Sequence, residues 1–154
     1  MSSVSQDHLD NAESRRAIEE LFARYNRICD RGYLPDELAP LFAEDGVWAN
    51  YDRDGNPDFG VLEGRGQIWD FFNKMNQSGT YGLHVSMNPE IEILSSDTAR
   101  GTWTTLSVLM VPDSTGAESL SLRAGVSSDT YVKVDGDWLW KTKTVRALMK
   151  QQLS

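Results

Sequence analysis

The chain of 154 residues is the size of one domain with one core, and 40% hydrophobic residues with five Trp, five Tyr and five Phe exclude a disordered chain. Fifteen basic against 23 acidic residues leave a formal charge of −8, which excludes an unspecific electrostatic grip on nucleic acid or on an anionic membrane surface. A single cysteine, Cys29, excludes an intrachain disulfide framework, and with no apolar leader and no run of about 18 apolar residues the expected location is cytoplasmic.

Residues 1–12 read as a flexible, polar N-terminal tail, and 13–150 as a single domain without repeat or linker. The first helix carries Ile18, Leu21, Phe22, Tyr25, Ile28 and Cys29 at i, i+3, i+4, i+7 spacing, and Gly32 suits its C-cap. Tyr25 therefore lies on the buried stripe, with Asp30 in the last turn. A short helix over 34–42 is opened by Pro35 and supported by Asp36 and Glu37 in its first turn. A strand over 47–51 runs into the turn-rich segment 52–58, and a third helix from about Gln67 places Ile68, Phe71, Phe72 and Met75 on one face.

From Tyr81 the pattern changes to long strands over 81–94, 98–111, 118–134 and 138–147. Asp135-Gly136 between the last two is a two-residue hairpin signal, because a type I′ turn needs positive φ at both positions. The fold class is α+β: three N-terminal helices packed on a strongly curved antiparallel or mixed sheet, a cone or barrel that encloses a pocket.

His84, one of two histidines, lies in an apolar stretch with Tyr81, Leu83, Val85 and Met87, while His8 belongs to the polar tail. An imidazole titrates near neutral pH, so it can act as a base, and a carboxylate on its other ring nitrogen fixes the tautomer and stabilises the imidazolium. Asp30 is the candidate partner, since an acid in the last turn of a helix opposes the macrodipole and is not placed for helix stability. Tyr25 is the candidate donor to a substrate oxygen, although five residues of helix separate it from Asp30 by about 140° around the axis. The structural alternatives are a core histidine, a solvated helix-end acid and a core aromatic.

The segment LAPLFAEDGVWANY after a helix bearing Tyr and Asp, the VLEGRGQIWDFF helix, the strand with His84 and the ending YVKVDGDWLWKTKTV together resemble the SnoaL-like branch of the nuclear transport factor 2-like superfamily. The likeness runs from about Ala17 to Val145. That superfamily holds scytalone dehydratase, bile acid dehydratase, a dehydrochlorinase, ketosteroid isomerase, polyketide cyclases and non-catalytic assembly modules, so fold alone does not select a reaction. By resemblance, Tyr25, Asp30 and His84 match the tyrosine, aspartate and histidine of the cofactor-independent dehydratases. The chain departs from some of them where a further acid or histidine stands on the next strand, since 103–108 here reads Trp103, Thr104, Thr105, Leu106, Ser107, Val108.

The expectation is therefore a cofactor-independent lyase, a dehydratase or related elimination enzyme, acting on a hydrophobic, oxygenated cyclic or aromatic small molecule. The alternatives are a ketosteroid-isomerase-like isomerase or polyketide cyclase, and a non-catalytic ligand-binding or assembly module. Trp48, Tyr51, Phe72, Trp103, Ser107 and Met110 are the candidate substrate-binding residues. Arg123 reads as an edge-facing, solvated residue, or as a contact to an oxyanion or a neighbouring subunit. No metal or cofactor is expected: Asp52, Asp54 and Asp58 lack the closing acid of a calcium loop, and Gly64-Arg65-Gly66 is no phosphate-binding motif. Partners are a small molecule, no nucleic acid and no membrane, and by resemblance a homo-oligomer, with a trimer favoured over a dimer.

Overall fold

The computed structural model describes residues 2–153, with side chains from Asp7 onward. Helix α1 (Ser2–Asp30) is followed by the one-turn α2 (Pro35–Leu38), a 3₁₀ turn (Ala39–Leu41), strands β1 (Phe42–Tyr51) and β2 (Pro57–Glu63), helix α3 (Gly64–Gln77), and the long strands β3 (Tyr81–Ile93), β4 (Thr98–Pro112), β5 (Glu118–Val134) and β6 (Asp137–Leu153). No helix is long and apolar enough to cross a membrane among the described residues. The segment expected to be a flexible tail is instead the start of α1, which is helical from Ser2.

The apolar stripe of α1 is buried from Ile18 to Cys29. The helix then stops through a left-handed turn: Gly32 has φ of 106° and gives its N–H to the Cys29 carbonyl at 3.0 Å. Tyr33, at φ 57°, bonds the same carbonyl at 3.1 Å. A bulky residue in that region is an outlier, held here because its ring is buried and stacked on Phe72 with centroids 6.5 Å apart. Pro35 occupies the first turn of α2, where a missing N–H costs nothing.

The six strands form one mixed sheet in the order β2-β1-β6-β5-β4-β3, left open at β2 and β3. The β1–β6 pair is parallel and the others are antiparallel. Register slips after Met87, Ala124 and Thr130 bend the strands, and such bulges raise the local twist. The sheet therefore curls around α1 and α3. The expected hairpin forms at Asp135 (φ 52°) and Gly136 (φ 92°), joining β5 to β6. Four elements differ from expectation: the helix over 34–42 shrinks to one turn and a 3₁₀ turn, β1 begins at Phe42 and not at 47, β2 forms where a turn and connection are expected, and β6 runs on to Leu153.

An aromatic layer of Phe22, Tyr25, Phe42, Phe72, Trp103, Tyr131 and Trp140 fills the space between helices and sheet. Below it lies a buried polar knot. Asp129 accepts from Ser127 Oγ (2.6 Å), Trp140 Nε1 (2.9 Å), Tyr131 OH (3.2 Å) and the Thr144 N–H (3.3 Å), and stands 3.7 Å from Lys143 Nζ. Four donors thus satisfy the buried carboxyl group, and it stands beside the buried ammonium as its counter-group.

Candidate active site

The cone opens into a cavity of about 130 Å³ between α1, α3 and the concave face of the sheet. An engineered cavity of about 150 Å³ holds one benzene ring, so the enclosed part suits a compact ligand. Phe22, Trp48, Phe59, Phe71 and Phe72 supply an aromatic wall; Asn26, Asn50, Ser107, Arg123 and Lys143 interrupt it with polar groups.

At one end Asp30 and His84 meet. Asp30 Oδ1 accepts from His84 Nδ1 at 2.8 Å and from the His84 backbone N–H, also at 2.8 Å. The same oxygen thus holds both the ring and the strand that carries it. The two side chains are 23% and 18% exposed, so the pair is largely enclosed. Because a carboxylate only accepts, Nδ1 carries the proton and Nε2 presents an unprotonated lone pair. Burial is the main influence on His84 and pulls its pKa below the ordinary 6.5, while the Asp30 hydrogen bond and charge act in the opposite direction. Burial prevails, so the ring is neutral at pH 7.

The hydroxyl beside Nε2 belongs to Tyr33, at 3.3 Å, with the two rings edge to face. Burial holds its phenol well above 10, so it remains a donor. Tyr25 also lines the cavity, but its hydroxyl accepts from Trp48 Nε1 at 3.2 Å, deeper among the aromatics and apart from the pair. The unfavourable helix angle between Tyr25 and Asp30 is resolved by a different tyrosine. Sequence patterning gave no sign of Tyr33, which sits outside any periodic element and reaches the site only through the left-handed turn after α1.

Of the expected lining residues, Trp48, Phe72 and Ser107 face the cavity, together with Thr105. Tyr51 and Met110 do not line it: Asn50 and Leu109 point inward, and their neighbours along a strand point to the opposite face. Trp103 shares the inward face of Thr105 and Ser107 but lies further along β4, where Phe22 covers it at 4.5 Å between ring centroids. Arg123 is not solvated. Its side chain is 16% exposed and its Nη1 donates to Asp58 Oδ2 at 2.6 Å. Lys143, in a stretch that reads as an alternating polar strand, is buried against the Phe22 ring at 3.8 Å. Asn50 is buried as well, and its Oδ1 has no hydrogen-bond partner among the described residues.

A curled sheet with helices across its mouth and an imidazole at the cavity wall, backed by a carboxylate, define a small α+β cone protein with a site suited to proton transfer. The chain belongs to the SnoaL-like domain family, within the nuclear transport factor 2-like superfamily, and the family model matches residues 10–144. No curated protein matches it. Among solved structures it is similar to a protein of Novosphingobium aromaticivorans assigned as a scytalone dehydratase, with 26% identity, 92% of this chain and 89% of that one covered and a TM-score of 0.79. A type 2 hexachlorocyclohexane dehydrochlorinase shares the fold at 22% identity, with 96% and 93% covered and a TM-score of 0.81. The type 3 dehydrochlorinase of Novosphingobium barchaimii LL02 does so at 22% identity, with 96% and 94% covered and a TM-score of 0.76.

Proposed function

We propose that the protein is a cofactor-independent lyase that eliminates water, or a comparable leaving group, from a compact, hydrophobic, oxygenated cyclic or aromatic molecule. The observation that carries this reading is the double hold of Asp30 Oδ1 on His84, which presents a neutral imidazole with an unprotonated Nε2, capped by the Tyr33 hydroxyl, to an aromatic cavity. Nε2 removes a carbon-bound proton, and the Asp30 carboxylate stabilises the imidazolium that forms. Bound substrate takes the place of the Tyr33 hydroxyl on Nε2, and that hydroxyl turns to the departing oxygen, donating as negative charge develops there. The imidazolium returns its proton to the departing hydroxide, so one C–H and one C–O bond break, a C=C bond and water form, and His84 ends neutral. Proton transfer by a positioned side chain contributes roughly 10²–10⁴ in rate.

The relatives assigned as a scytalone dehydratase and as hexachlorocyclohexane dehydrochlorinases support an elimination, and a cavity of about 130 Å³ favours one ring over a steroid. The test is a panel of hydroxylated cyclic ketones and phenolic alcohols, incubated with wild type and His84→Ala in deuterated water and analysed by mass spectrometry. Loss of water with wild type, reduced about a hundredfold or more in the variant, is the expected result. Undiminished turnover by His84→Ala, or products that keep the oxygen and gain deuterium at a shifted position, would count against elimination by this base.

A further inference from the structure

The cavity and the chain carry opposite charge. Acidic residues outnumber basic ones 23 to 15 over the sequence, yet among the described residues the cavity wall includes Arg123 and Lys143 and no carboxylate. The two cations differ in what they have left to offer. Lys143 is committed to the buried knot, donating to Ser127 Oγ at 3.0 Å with Asp129 at 3.7 Å. Arg123 uses Nη1 on Asp58, while its Nε and Nη2 make no hydrogen bond among the described residues. A guanidinium has five N–H groups in a planar fork that matches a carboxylate, so most of this one is unused.

Asp58 does not cancel that charge. It is shared with Lys150, whose Nζ lies 3.1 Å from Oδ1, so two cations and one carboxylate leave the cluster at +1. The Phe59 ring, 4.4 Å from the guanidinium carbon, packs on the cation and helps fix its plane. Strand register then relates this group to the imidazole. His84 on β3 lies opposite Ser107 on β4, and Ser107 lies opposite Arg123 on β5. At about 4.8 Å per strand, the backbones of His84 and Arg123 are about 10 Å apart, with the Ser107 hydroxyl on the same face between them.

We propose that Arg123 is an anion-binding residue and that the ligand of this cavity is a compact carboxylic acid. The carboxylate takes the free edge of the Arg123 fork beside Ser107, and the apolar body of the ligand spans toward His84, about one ring away. The acid group is an anchor, remote from the bond that breaks. The role of the far end rests on the lyase reading, whereas the anchor is a binding property and stands or falls without turnover.

The experiment is calorimetric titration of the full chain with benzoate and with benzamide, which share a ring and differ in charge. Benzoate is expected to bind about tenfold or more tightly than benzamide, since hydrogen bonds to charged groups contribute at that level. The preference weakens with added salt and disappears in Arg123→Gln. His84→Ala keeps it, so loss of the lyase reading and loss of the anchor are separable. Should Arg123→Gln fail to fold, Asp58→Asn provides the second arm: it removes the competing carboxylate, and benzoate tightens while benzamide does not change. Equal affinities in the wild type, a preference that survives in Arg123→Gln, or no tightening in Asp58→Asn would overturn the proposal.

Discussion

The chemistry of this protein is concentrated in one oxygen atom. Asp30 Oδ1 binds the backbone and the ring of His84 together, so moving the carboxylate disturbs the strand as well as the tautomer. The pH dependence follows from the opposing influences on the imidazole. Burial lowers its affinity for a proton and Asp30 raises it, the first being larger, so the base is present at pH 7 and is lost only as pH falls through a value below 6.5. Asp30→Asn takes away the raising influence. In that variant the acid limb of kcat/KM moves to lower pH while the plateau drops about a hundredfold or more, because the tautomer and the imidazolium lose their support. A profile measured over the acid range distinguishes this from a purely structural defect, which lowers the plateau without moving the limb. Asp30 and His84 are legible as partners from their chemistry, an acid that opposes the helix dipole and an imidazole in an apolar strand, and from the family resemblance. Tyr33 was not legible: its position depends on two consecutive left-handed residues and on Phe72, neither of which leaves a periodic trace.

At the scale of elements, the stripe of α1, the four long strands and the Asp135-Gly136 hairpin follow from periodicity and turn chemistry alone. Strand β2 escaped because its seven residues are interrupted by Gly60 at φ 93° and end directly in α3, so composition reads as connection. Strand β6 hides a buried lysine. Lys141 and Lys143 alternate with threonines as on a solvated face, yet the slip of register at Thr130 and the parallel pairing with β1 carry Lys143 into the core beside Asp129. That pair gives a stability prediction. Asp129→Ala leaves a buried ammonium without its counter-charge and costs about 3–5 kcal/mol, whereas Asp129→Ala combined with Lys143→Met recovers much of the loss. Denaturant midpoints for the two variants check it, and a double variant no more stable than the single one would show that the aromatic layer does not depend on this compensation.

For the whole molecule, the sheet acts as a ruler. Its curl encloses one ring's worth of space, its register aligns His84, Ser107 and Arg123 across three strands, and its open edges leave the mouth bounded by β2, where Asp58 and Phe59 hold Arg123. The resemblance in the sequence was sufficient for the family and the cone, since both depend on the order of elements. Cavity volume and wall charge were out of reach, because they depend on which strand faces turn inward after each bulge. The account rests on a neutral His84 that presents Nε2 as a base. Nitrogen-detected NMR of the imidazole, titrated in the wild-type chain without ligand, reads that state directly. The expected result is the Nδ1–H tautomer at pH 7, with protonation at a pH below 6.5; an Nε2–H tautomer, or protonation above 6.5, would contradict it.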